Sequence, residues 1–468
     1  MRGMLSFFML QYPCFLREKD KIYGECCGET DMRMVQWFKN VIKEQPPGRL
    51  ITLGFALIIL IGTVLLLLPV SIRPGADVSL IDALFTSTSA VCVTGLIAID
   101  TADHFTLFGR SVVALLIQIG GLGVTSVGAG FILLAGKRVG MKGRLLVREA
   151  LNMGSSKGIV KLLKAILLMT LCFELTGAVL SFMVFVQDYP VGKAIEISLF
   201  HSIAAFNNSG FDILGGLRNL IPYQDSVLLN LTTASLIFFG GIGFLVIQDF
   251  MKHRSLKKLC LHSKVVLTTS VFLILSGTLL LKLTEDISWL GAFFQSVSAR
   301  TAGFSTYPIG SFTNAGLFVL IVLMFIGASP GSTGGGIKTS TFFALMQSAK
   351  NTAVKKHNSA FHRTLPADTI SKAFTVMFLS LIVVCGGTFL MCVLEPEYSF
   401  VQLLFEVTSA FGTVGLSTGI TPALDTAGKL VLIATMFIGR LGALTLMSMW
   451  VFRPASNVRY TEESITIG

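Results

Sequence analysis

Four short segments of the chain carry the same arrangement of small residues, and the chemistry they could perform is that of backbone carbonyls. Each segment begins with Phe, continues through hydroxylic residues to Ala, and reaches a Gly that is followed by Leu or Phe. They read FTSTSAVCVTGL (85–96), FHSIAAFNNSGF (200–211), FQSVSARTAGF (294–304) and FEVTSAFGTVGL (405–416). Carbonyl oxygens from four loops around one axis can replace the water shell of a cation. Glycine allows the backbone angles that aim neighbouring carbonyls inward, so the repeat predicts an ion-selective pore.

The surroundings of the four segments also repeat, and they show which elements must position them. The chain has 468 residues, of which 53% are hydrophobic and 13% charged, whereas a soluble domain averages roughly 25% charged residues. Most of its long apolar stretches reach the ~20 residues that cross a bilayer as a helix. They are 51–70, 112–135, 162–186, 227–247, 265–281, 315–328, 373–394 and 430–452. Shorter apolar pieces, too short to span, end in the four segments near 79–90, 194–206, 288–299 and 399–410.

This alternation predicts an all-α polytopic membrane protein. We expect four helix–re-entrant pore loop–helix repeats around a pseudo-fourfold ion pore, with about eight transmembrane helices and four pore half-helices. The repeats are placed at 49–136, 159–250, 264–349 and 369–453, between an N-terminal segment (1–48) and a C-terminal tail (454–468). The first 31 residues are expected to be poorly ordered or the result of a mistaken start codon. Only the second long helix of the third repeat is expected to be broken.

The distribution of charge predicts the orientation in the membrane. Basic residues are concentrated in the loops 137–164, 252–264 and 350–372, while the opposite loops carry acidic residues. Excess Lys and Arg on one side places those loops and both termini in the cytoplasm of a multi-pass cell-membrane protein. The net charge of +11 therefore reports topology, and we expect no nucleic-acid partner. The sequence shows no cluster of His, Cys, Asp and Glu with catalytic or metal-ligand spacing, so we expect no enzyme.

With these features the chain resembles the superfamily of K⁺ transporters that contains the bacterial Trk and Ktr proteins and the plant HKT proteins. It most closely resembles the membrane subunit of Ktr systems, from about residue 48 onward, through all four segments and the stretch GASPGSTGGGIKTST (327–341). The resemblance implies K⁺ uptake, a homodimer in the lipid bilayer, and a cytoplasmic ring of regulatory subunits that bind the nucleotide. It implies no cofactor on this chain, and transport that Na⁺ promotes in many such systems.

The resemblance also assigns filter residues. Carried over residue by residue, they are Val93, Thr94 and Gly95; Asn208, Ser209 and Gly210; Thr301, Ala302 and Gly303; and Thr413, Val414 and Gly415. K⁺ would be bound by carbonyls of these loops alone. None of the loops continues as Gly-Tyr-Gly, so we expect fewer rigid carbonyl rings and weaker selectivity than in K⁺ channels. The shorter third loop and the Asn207-Asn208 pair predict an asymmetric filter.

A glycine-rich stretch interrupts the second helix of the third repeat. Pro and clustered Gly cannot sustain a helix interior, and a break within the membrane must line a cavity or be buried in protein. We expect a gating loop under the filter that obstructs the pore and moves to open it. It comprises Ser329, Pro330, Gly331, Ser332, Thr333, Gly334, Gly335, Gly336 and Lys338. A phosphate-binding loop fits poorly, because Ile337 separates Gly336 from Lys338.

Arg440 places a charge in the middle of the fourth repeat's second helix. Aligning the centres of these helices, IGGLG, FGGIG, IGASP and IGRLG, pairs it with Gly121, Gly241 and Ala328. A charge at this depth usually faces the protein interior and is functional. We favour a positively charged barrier in the pore that binds carbonyls of residues 329–336. The alternative is a structural ion pair with Glu174.

Two other transport mechanisms stay open from the residues. One is a Trk-type K⁺ transporter coupled to H⁺, and the other is a secondary cation transporter that works by alternating access. Transporters of the second kind usually carry inverted repeats and paired discontinuous helices, whereas these four repeats run in one orientation. The residues do not determine whether Na⁺, H⁺ or neither is coupled to K⁺.

Overall fold

The computed structural model describes residues 47–134, 140–150, 158–354 and 358–442. The predicted N-terminal segment, apart from its last two residues, and the predicted C-terminal tail lie outside these ranges. So do residues 443–452 of the predicted span 430–452. The described part is helical apart from one hairpin of two short strands, β1 (Ser359–Ala360) and β2 (Arg363–Thr364). The predicted all-α class is therefore confirmed.

The helices are numbered in chain order. They are α1 (Pro47–Leu66), α2 (Leu80–Cys92), α3 (Thr101–His104), α4 (Leu107–Leu122), α5 (Val124–Leu134), α6 (Met141–Ala150), α7 (Ile159–Phe185), α8 (Val191–Phe206), α9 (Val227–Gly241), α10 (Phe244–His253), α11 (Leu261–Thr284), α12 (Trp289–Ser298), α13 (Asn314–Phe325), α14 (Thr339–Ala353), α15 (Ala367–Leu394), α16 (Phe400–Gly412) and α17 (Thr426–Leu441). Single 3₁₀ turns occupy Ile221–Tyr223, Leu256–Lys258, Ile309–Ser311 and Thr421–Ala423.

Each repeat opens with one long helix, α1, α7, α11 or α15. Among the described residues, these four helices are long and apolar enough to cross a membrane, and a fifth span results if α9 and α10 are counted together. Large apolar side chains on their outward faces are exposed, for example Leu57, Leu168 and Phe378. A helix that keeps its backbone hydrogen bonds internal can present such a face to lipid. The chain is a multi-pass membrane protein.

A short helix follows in each repeat, α2, α8, α12 or α16, and it ends at one of the four loops. Three of these helices begin with a serine cap: the side chain of Ser79, Ser288 or Ser399 accepts a backbone N–H three residues later. Such caps satisfy N–H groups that the first turn leaves without a partner. The last turns of all four helices are buried, so the centre of the molecule is built from re-entrant half-helices.

The second long element is interrupted in the first and second repeats as well as in the third, which corrects the expectation that only the third one is. Helix α4 gives way to α5 at Gly123, and α9 gives way to α10 at Gly243 with a bend of 95°. Helix α17 ends at Leu441, and Gly442 is its C-cap. These three glycines have φ values of 83°, 92° and 84°, which L side chains rarely adopt. Pro330 stands at the equivalent place of the third repeat.

The repeats are joined in a closed cycle. The first half of each second element packs against the short helix of the next repeat: α4 against α8, α9 against α12, α13 against α16, and α17 against α2. Two of these contacts carry ion pairs. Arg110 bonds Glu196 at 2.6 Å between α4 and α8, and Lys429 bonds Asp82 at 2.8 Å between α17 and α2. The fourth repeat therefore contacts the first, as a ring around one axis requires.

Candidate functional site

The four predicted filter loops share an unusual backbone conformation. Their first residues, Val93, Asn208, Thr301 and Thr413, have φ between 48° and 73°. Their glycines, Gly95, Gly210, Gly303 and Gly415, have φ between 69° and 93°. A β-branched residue in the left-handed region is a genuine outlier, and three of the first residues are Val or Thr. Such strain persists only where the surroundings enforce it, and it is concentrated at functional sites.

Serine hydroxyls of the short helices enforce this conformation in three of the loops. Ser89 Oγ accepts the N–H of Gly95 at 3.0 Å and donates to the carbonyl of Leu96 at 2.8 Å. Ser409 Oγ accepts the N–H of Gly415 at 3.0 Å, and Ser298 Oγ donates to the carbonyl of Phe304. The second loop has Ala204 at this position. We did not assign these serines from the sequence, although their recurrence in three copies was a usable signal.

The four loops meet one another in order around a common centre. A Cβ atom added to Gly95 would overlap the carbonyl oxygen of Ser209, and one added to Gly415 would overlap that of Thr94. Likewise, a Cβ on Gly210 would lie 2.7 Å from the Ala302 oxygen, and one on Gly303 would overlap the Val414 oxygen. Each glycine thus faces the carbonyl of the next loop. The structure brings all twelve predicted filter residues together in one ring.

The four short helices also contribute an electric field to this ring. Their carboxyl ends lie directly before the filter loops, and the carboxyl end of a helix carries a partial negative charge. Four such ends and a ring of carbonyl oxygens favour a desolvated cation. Within the described ranges, no group of three or more His, Cys, Asp and Glu side chains could hold a metal ion.

The ring opens on one side into a cavity of about 420 Å³. Three of the filter glycines and the segments after the third and fourth loops line it, including Tyr307 and Thr418. Asp212 lies two residues beyond Gly210 in the outer loop, and burial raises the pKa of its carboxyl to about 7, while the Leu214 N–H lowers it. The ionised fraction of the Asp212 carboxyl therefore increases as the pH rises through neutrality.

The predicted asymmetry appears in the side chains around the second loop. Asn207 Nδ2 donates to Gln118 Oε1 at 2.8 Å and to Glu174 Oε1 at 3.0 Å. The side-chain amide of Asn208 lies 3.3 Å from the Thr301 hydroxyl of the third loop. In the fourth repeat, the buried Glu406 plays a different part, because it accepts hydrogen bonds from Ser417, Thr418 and Thr421 after the filter. Glu406 was not among the predicted site residues, although a carboxyl group beside the apolar Phe405 was a visible signal.

The predicted gating loop lies against the other side of the ring. Gly335 N–H donates to the hydroxyl of Thr413 at 2.9 Å, and a Cβ on Gly334 would overlap the hydroxyl of Thr301. The loop is also bound to α9, because Ser329 N–H donates to the Gly241 carbonyl at 3.0 Å and Thr333 N–H to that of Gly240 at 3.3 Å. The filter ring thus lies between the 420 Å³ cavity and this loop.

Other members of the loop connect it to the broken helices and to itself. The N–H of Phe244 donates to the Gly331 carbonyl at 3.1 Å, and a Cβ on Gly243 would lie 2.7 Å from the Pro330 oxygen. Ser332 donates to the Ser329 carbonyl at 2.6 Å. Gly336 has a φ of 66°, so the chain turns there into Ile337, which pairs with Ile326 across the base of the loop.

Two cationic side chains bind carbonyls of this loop. Lys338 Nζ donates to Gly334 at 2.8 Å and to Gly335 at 3.3 Å. Arg440 donates through Nη1 to the carbonyl of Thr333, and through Nη2 to those of Gly120 and Gly121. Neither side chain belongs to any of the three ion pairs in the described part of the chain. The suggested pairing of Arg440 with Glu174 is not found, since Glu174 bonds Asn207 instead.

Known proteins resemble this chain over most of its length. The family model of TrkH, described as a cation transport protein, matches residues 55–457. The Ktr system potassium uptake protein B of Bacillus subtilis is 38% identical over 450 residues, which cover 93% of this chain and 99% of that protein. The potassium/sodium uptake protein NtpJ of Enterococcus hirae is 38% identical over 448 residues, covering 92% of this chain and 99% of that protein.

A solved structure resembles the fold. The potassium transporter TrkH from Vibrio parahaemolyticus superposes with a TM-score of 0.65, and the match covers 85% of each chain. Its sequence identity to this chain is 21%. At that identity the likeness shows the fold, that is, the arrangement of the helices, and it assigns no role to the filter residues.

Proposed function

Because the chain belongs to the TrkH family of cation transport proteins, we propose that it takes up potassium across the cell membrane through a pore between its four filter loops. The observation that carries this proposal is the closed ring in which Gly95, Gly210, Gly303 and Gly415 each face a carbonyl of the next loop. The names of two relatives, a potassium and a potassium/sodium uptake protein, support the choice of ion.

Selectivity in this proposal comes from backbone oxygens alone. A K⁺ ion that enters from the 420 Å³ cavity exchanges its water for carbonyls of the filter loops. The carboxyl ends of the four short helices stabilise the charge as water is lost. Each loop provides a short run of carbonyls ending in a single glycine, so discrimination between K⁺ and Rb⁺ is weak and Na⁺ competes measurably.

Transport by the purified chain in liposomes tests this function directly. We expect uptake of ⁸⁶Rb⁺ that follows the K⁺ gradient, is reduced by external K⁺, and is accompanied by no stoichiometric counter-flux. The same liposomes, with Na⁺ or a pH gradient varied, show whether either ion is coupled. A fixed ratio of K⁺ to H⁺ movement would favour the H⁺-coupled alternative, and the absence of any cation flux from folded protein would contradict the proposal.

Alternating access is the second candidate mechanism, and the helix breaks at Gly123 and Gly243 are the observation that favours it. Transporters of that kind use discontinuous helices, and this chain has more of them than its sequence suggested. The breaks are nevertheless equivalent in their positions, and they lie below a ring to which all four repeats contribute a loop. Counter-flux of a second ion at a fixed ratio is the result that would favour this candidate over a pore.

In the proposed pore, residues 329–336 and Lys338 form the gate. The loop contacts the filter at Thr301 and Thr413 and is bound by Arg440, so it obstructs the path on the side away from the large cavity. Opening requires these hydrogen bonds and those between the loop and α9 and α10 to break, while Ile326 and Ile337 can keep the base of the loop together. Several glycines in the loop make such a movement sterically possible.

Deleting residues 331–334 should raise the flux of K⁺ or ⁸⁶Rb⁺ severalfold without unfolding the protein. The deletion removes Thr333 and Gly334 with their contacts to Arg440 and Thr301, and it leaves the base of the loop in place. Flux is measured in liposomes, with size-exclusion profile and thermal stability as controls for folding. Ser332→Ala is the matched control, because its hydroxyl bonds only the Ser329 carbonyl within the loop. A folded deletion variant that conducts nothing would contradict a gating role.

We further propose a homodimer that is regulated by a separate cytoplasmic ring of nucleotide-binding subunits. The name of one relative, a protein B of a Ktr system, supports an assembly of several components. The docking surface would comprise the basic loops 137–158 and 252–263 and the C-terminal tail. We expect nucleotide to change the flux only when the partner is added to the chain. A nucleotide response of the chain alone would contradict this arrangement.

A further inference from the structure

Arg300 is a buried cation in the third filter loop that the pore mechanism above does not use. It directly precedes the filter residue Thr301, and the residue is buried, with 7% of its surface exposed. Nη2 donates to the carbonyl of Gly327 at 3.2 Å, while Nε and Nη1 have no hydrogen-bond partner among the described residues. None of the ion pairs found in the described ranges includes Arg300. A buried charge that is neither paired nor fully bonded is costly, which calls for a functional reason.

The other three repeats show what Arg300 replaces. In each of them a glycine of the second helix packs directly on a carbonyl of the short helix. A Cβ on Gly120, Gly240 or Gly439 would overlap the carbonyl of Val91, Phe206 or Phe411 respectively. Gly327 is the equivalent glycine of the third repeat. There the helix has already ended at Phe325, and the nearest atoms to a Cβ on Gly327 belong to Gly335 and Gly336.

In the third repeat, therefore, a side chain provides the connection that backbone packing provides elsewhere. The guanidinium of Arg300 reaches the Gly327 carbonyl just before the candidate gating loop begins. The next residue, Thr301, contacts Gly334 near the other end of the loop. Two consecutive filter-loop residues thus hold both ends of the loop. The third filter loop is the one that is a residue shorter between its Ala and its Gly, which places Arg300 where Val91 or Cys92 stands in the first loop.

We propose that Arg300 is a positioning residue that connects the third filter loop to the start of the gating loop, so that the state of the gate and the selectivity of the filter depend on each other. This inference rests on the proposed gating function. With the loop in the position described here, Arg300 holds Gly327 and keeps both segments fixed. When the loop moves, the hydrogen bond to Gly327 is lost, and the third filter loop loses one of its supports.

The surroundings of Arg300 make a substitution practicable. Arg300 lines a cavity of about 20 Å³ together with Ser270 and Ala328, room for about one water molecule. Because no carboxylate is bound to Arg300, replacing it by methionine leaves no buried negative charge without a partner. Lysine at the same position keeps a cation that can reach a single carbonyl, without the planar fork of arginine.

The test compares Arg300→Met and Arg300→Lys in the full chain and in the chain with residues 331–334 deleted. In the full chain, Arg300→Met should raise ⁸⁶Rb⁺ flux in liposomes about tenfold, the order expected for the loss of one charge-assisted hydrogen bond. It should also make Na⁺ a better competitor. Arg300→Lys should stay near the unmodified chain in both measurements. In the deletion background, Arg300→Met should leave the flux unchanged, because the gate that Arg300 helps to hold is already removed. Ser270→Ala, which lines the same cavity, is the matched control and should leave flux and competition unchanged.

Several outcomes would overturn the inference. They are an equal effect of Arg300→Met in both backgrounds, unchanged flux and selectivity in a stable Arg300→Met protein, or a chain that folds only with a cation at position 300. The last result would show a role in folding alone. The gating proposal is tested separately by the deletion variant that keeps Arg300. If that variant shows no gain in ⁸⁶Rb⁺ flux, the gating proposal fails, whatever the Arg300 variants do.

Discussion

Gly415→Ser should weaken the affinity of the transporter for K⁺ well before it abolishes K⁺ flux, with Na⁺ becoming a better competitor. Gly415 has a φ of 93°, and a Cβ there would overlap the carbonyl oxygen of Thr94 and lie 2.9 Å from Gly95 Cα. The serine is therefore strained in its backbone and displaces a carbonyl of the neighbouring loop. Because that carbonyl is one of those proposed to bind the ion, a shift of a few tenths of an ångström alters selectivity first.

The other three filter glycines should respond in the same direction with different magnitudes. A Cβ added at Gly95 or Gly303 would also overlap a carbonyl oxygen of the next loop. A Cβ added at Gly210 would lie 2.7 Å from the Ala302 oxygen. We expect Gly210→Ser to be the mildest of the four. The measurement is the dependence of ⁸⁶Rb⁺ uptake on K⁺ concentration, with and without Na⁺.

A matched control separates backbone strain from the contacts of the ring. Gly75 has a φ of 84°, but a Cβ there would meet nothing within 4 Å. Gly75→Ser therefore imposes the same kind of strain far from the filter, and it should leave the preference for K⁺ unchanged. Unchanged K⁺ preference in all four filter variants would refute the filter assignment.

The repeat of the four segments could be read from the sequence because its signals are local. A half-length apolar helix and the Ala-to-Gly interval identify each loop without knowledge of the other three. The left-handed conformation of Val93 and Thr413 had no such signal, since β-branched residues rarely adopt it. It is held by hydrogen bonds that Ser89 and Ser409 of the short helices make with the backbone of their loops, and these contacts become visible only in the structure.

The breaks at Gly123 and Gly243 were missed for a different reason. The apolar stretches run through both glycines without a change in composition, and glycine is tolerated inside membrane helices. Only the backbone angles show that the helix ends there. Likewise, the sequence offered Glu174 as a partner for Arg440 because it is a lone carboxyl in an apolar helix. In the structure, Glu174 accepts a hydrogen bond from Asn207. Which partner Glu174 has depends on the packing of helices that are distant in the sequence, and no local pattern encodes that packing.

Arg440→Ala should raise K⁺ flux at least tenfold and reduce its dependence on the regulatory partner. The guanidinium connects the carbonyl of Thr333, in the proposed gate, to the carbonyls of Gly120 and Gly121 at the end of α4. Its removal takes away a positive charge next to the ion path and two or more charge-assisted hydrogen bonds that hold the loop. Arg440→Lys keeps the charge but cannot bridge both segments with a planar fork, so an intermediate flux is expected.

Stability decides between this barrier and a purely structural arginine. If Arg440 paired with a buried carboxylate, its removal would cost roughly 3–5 kcal/mol, and removing the carboxylate as well would restore stability. In this structure the partners of Arg440 are backbone carbonyls, so Arg440→Ala should lower thermal stability only slightly. Combining it with Glu174→Gln should then bring no rescue. The barrier hypothesis would be contradicted if Arg440→Ala were unstable, Glu174→Gln restored its stability, and K⁺ flux did not rise. The charge would then stabilise the fold and would not control the passage of the ion.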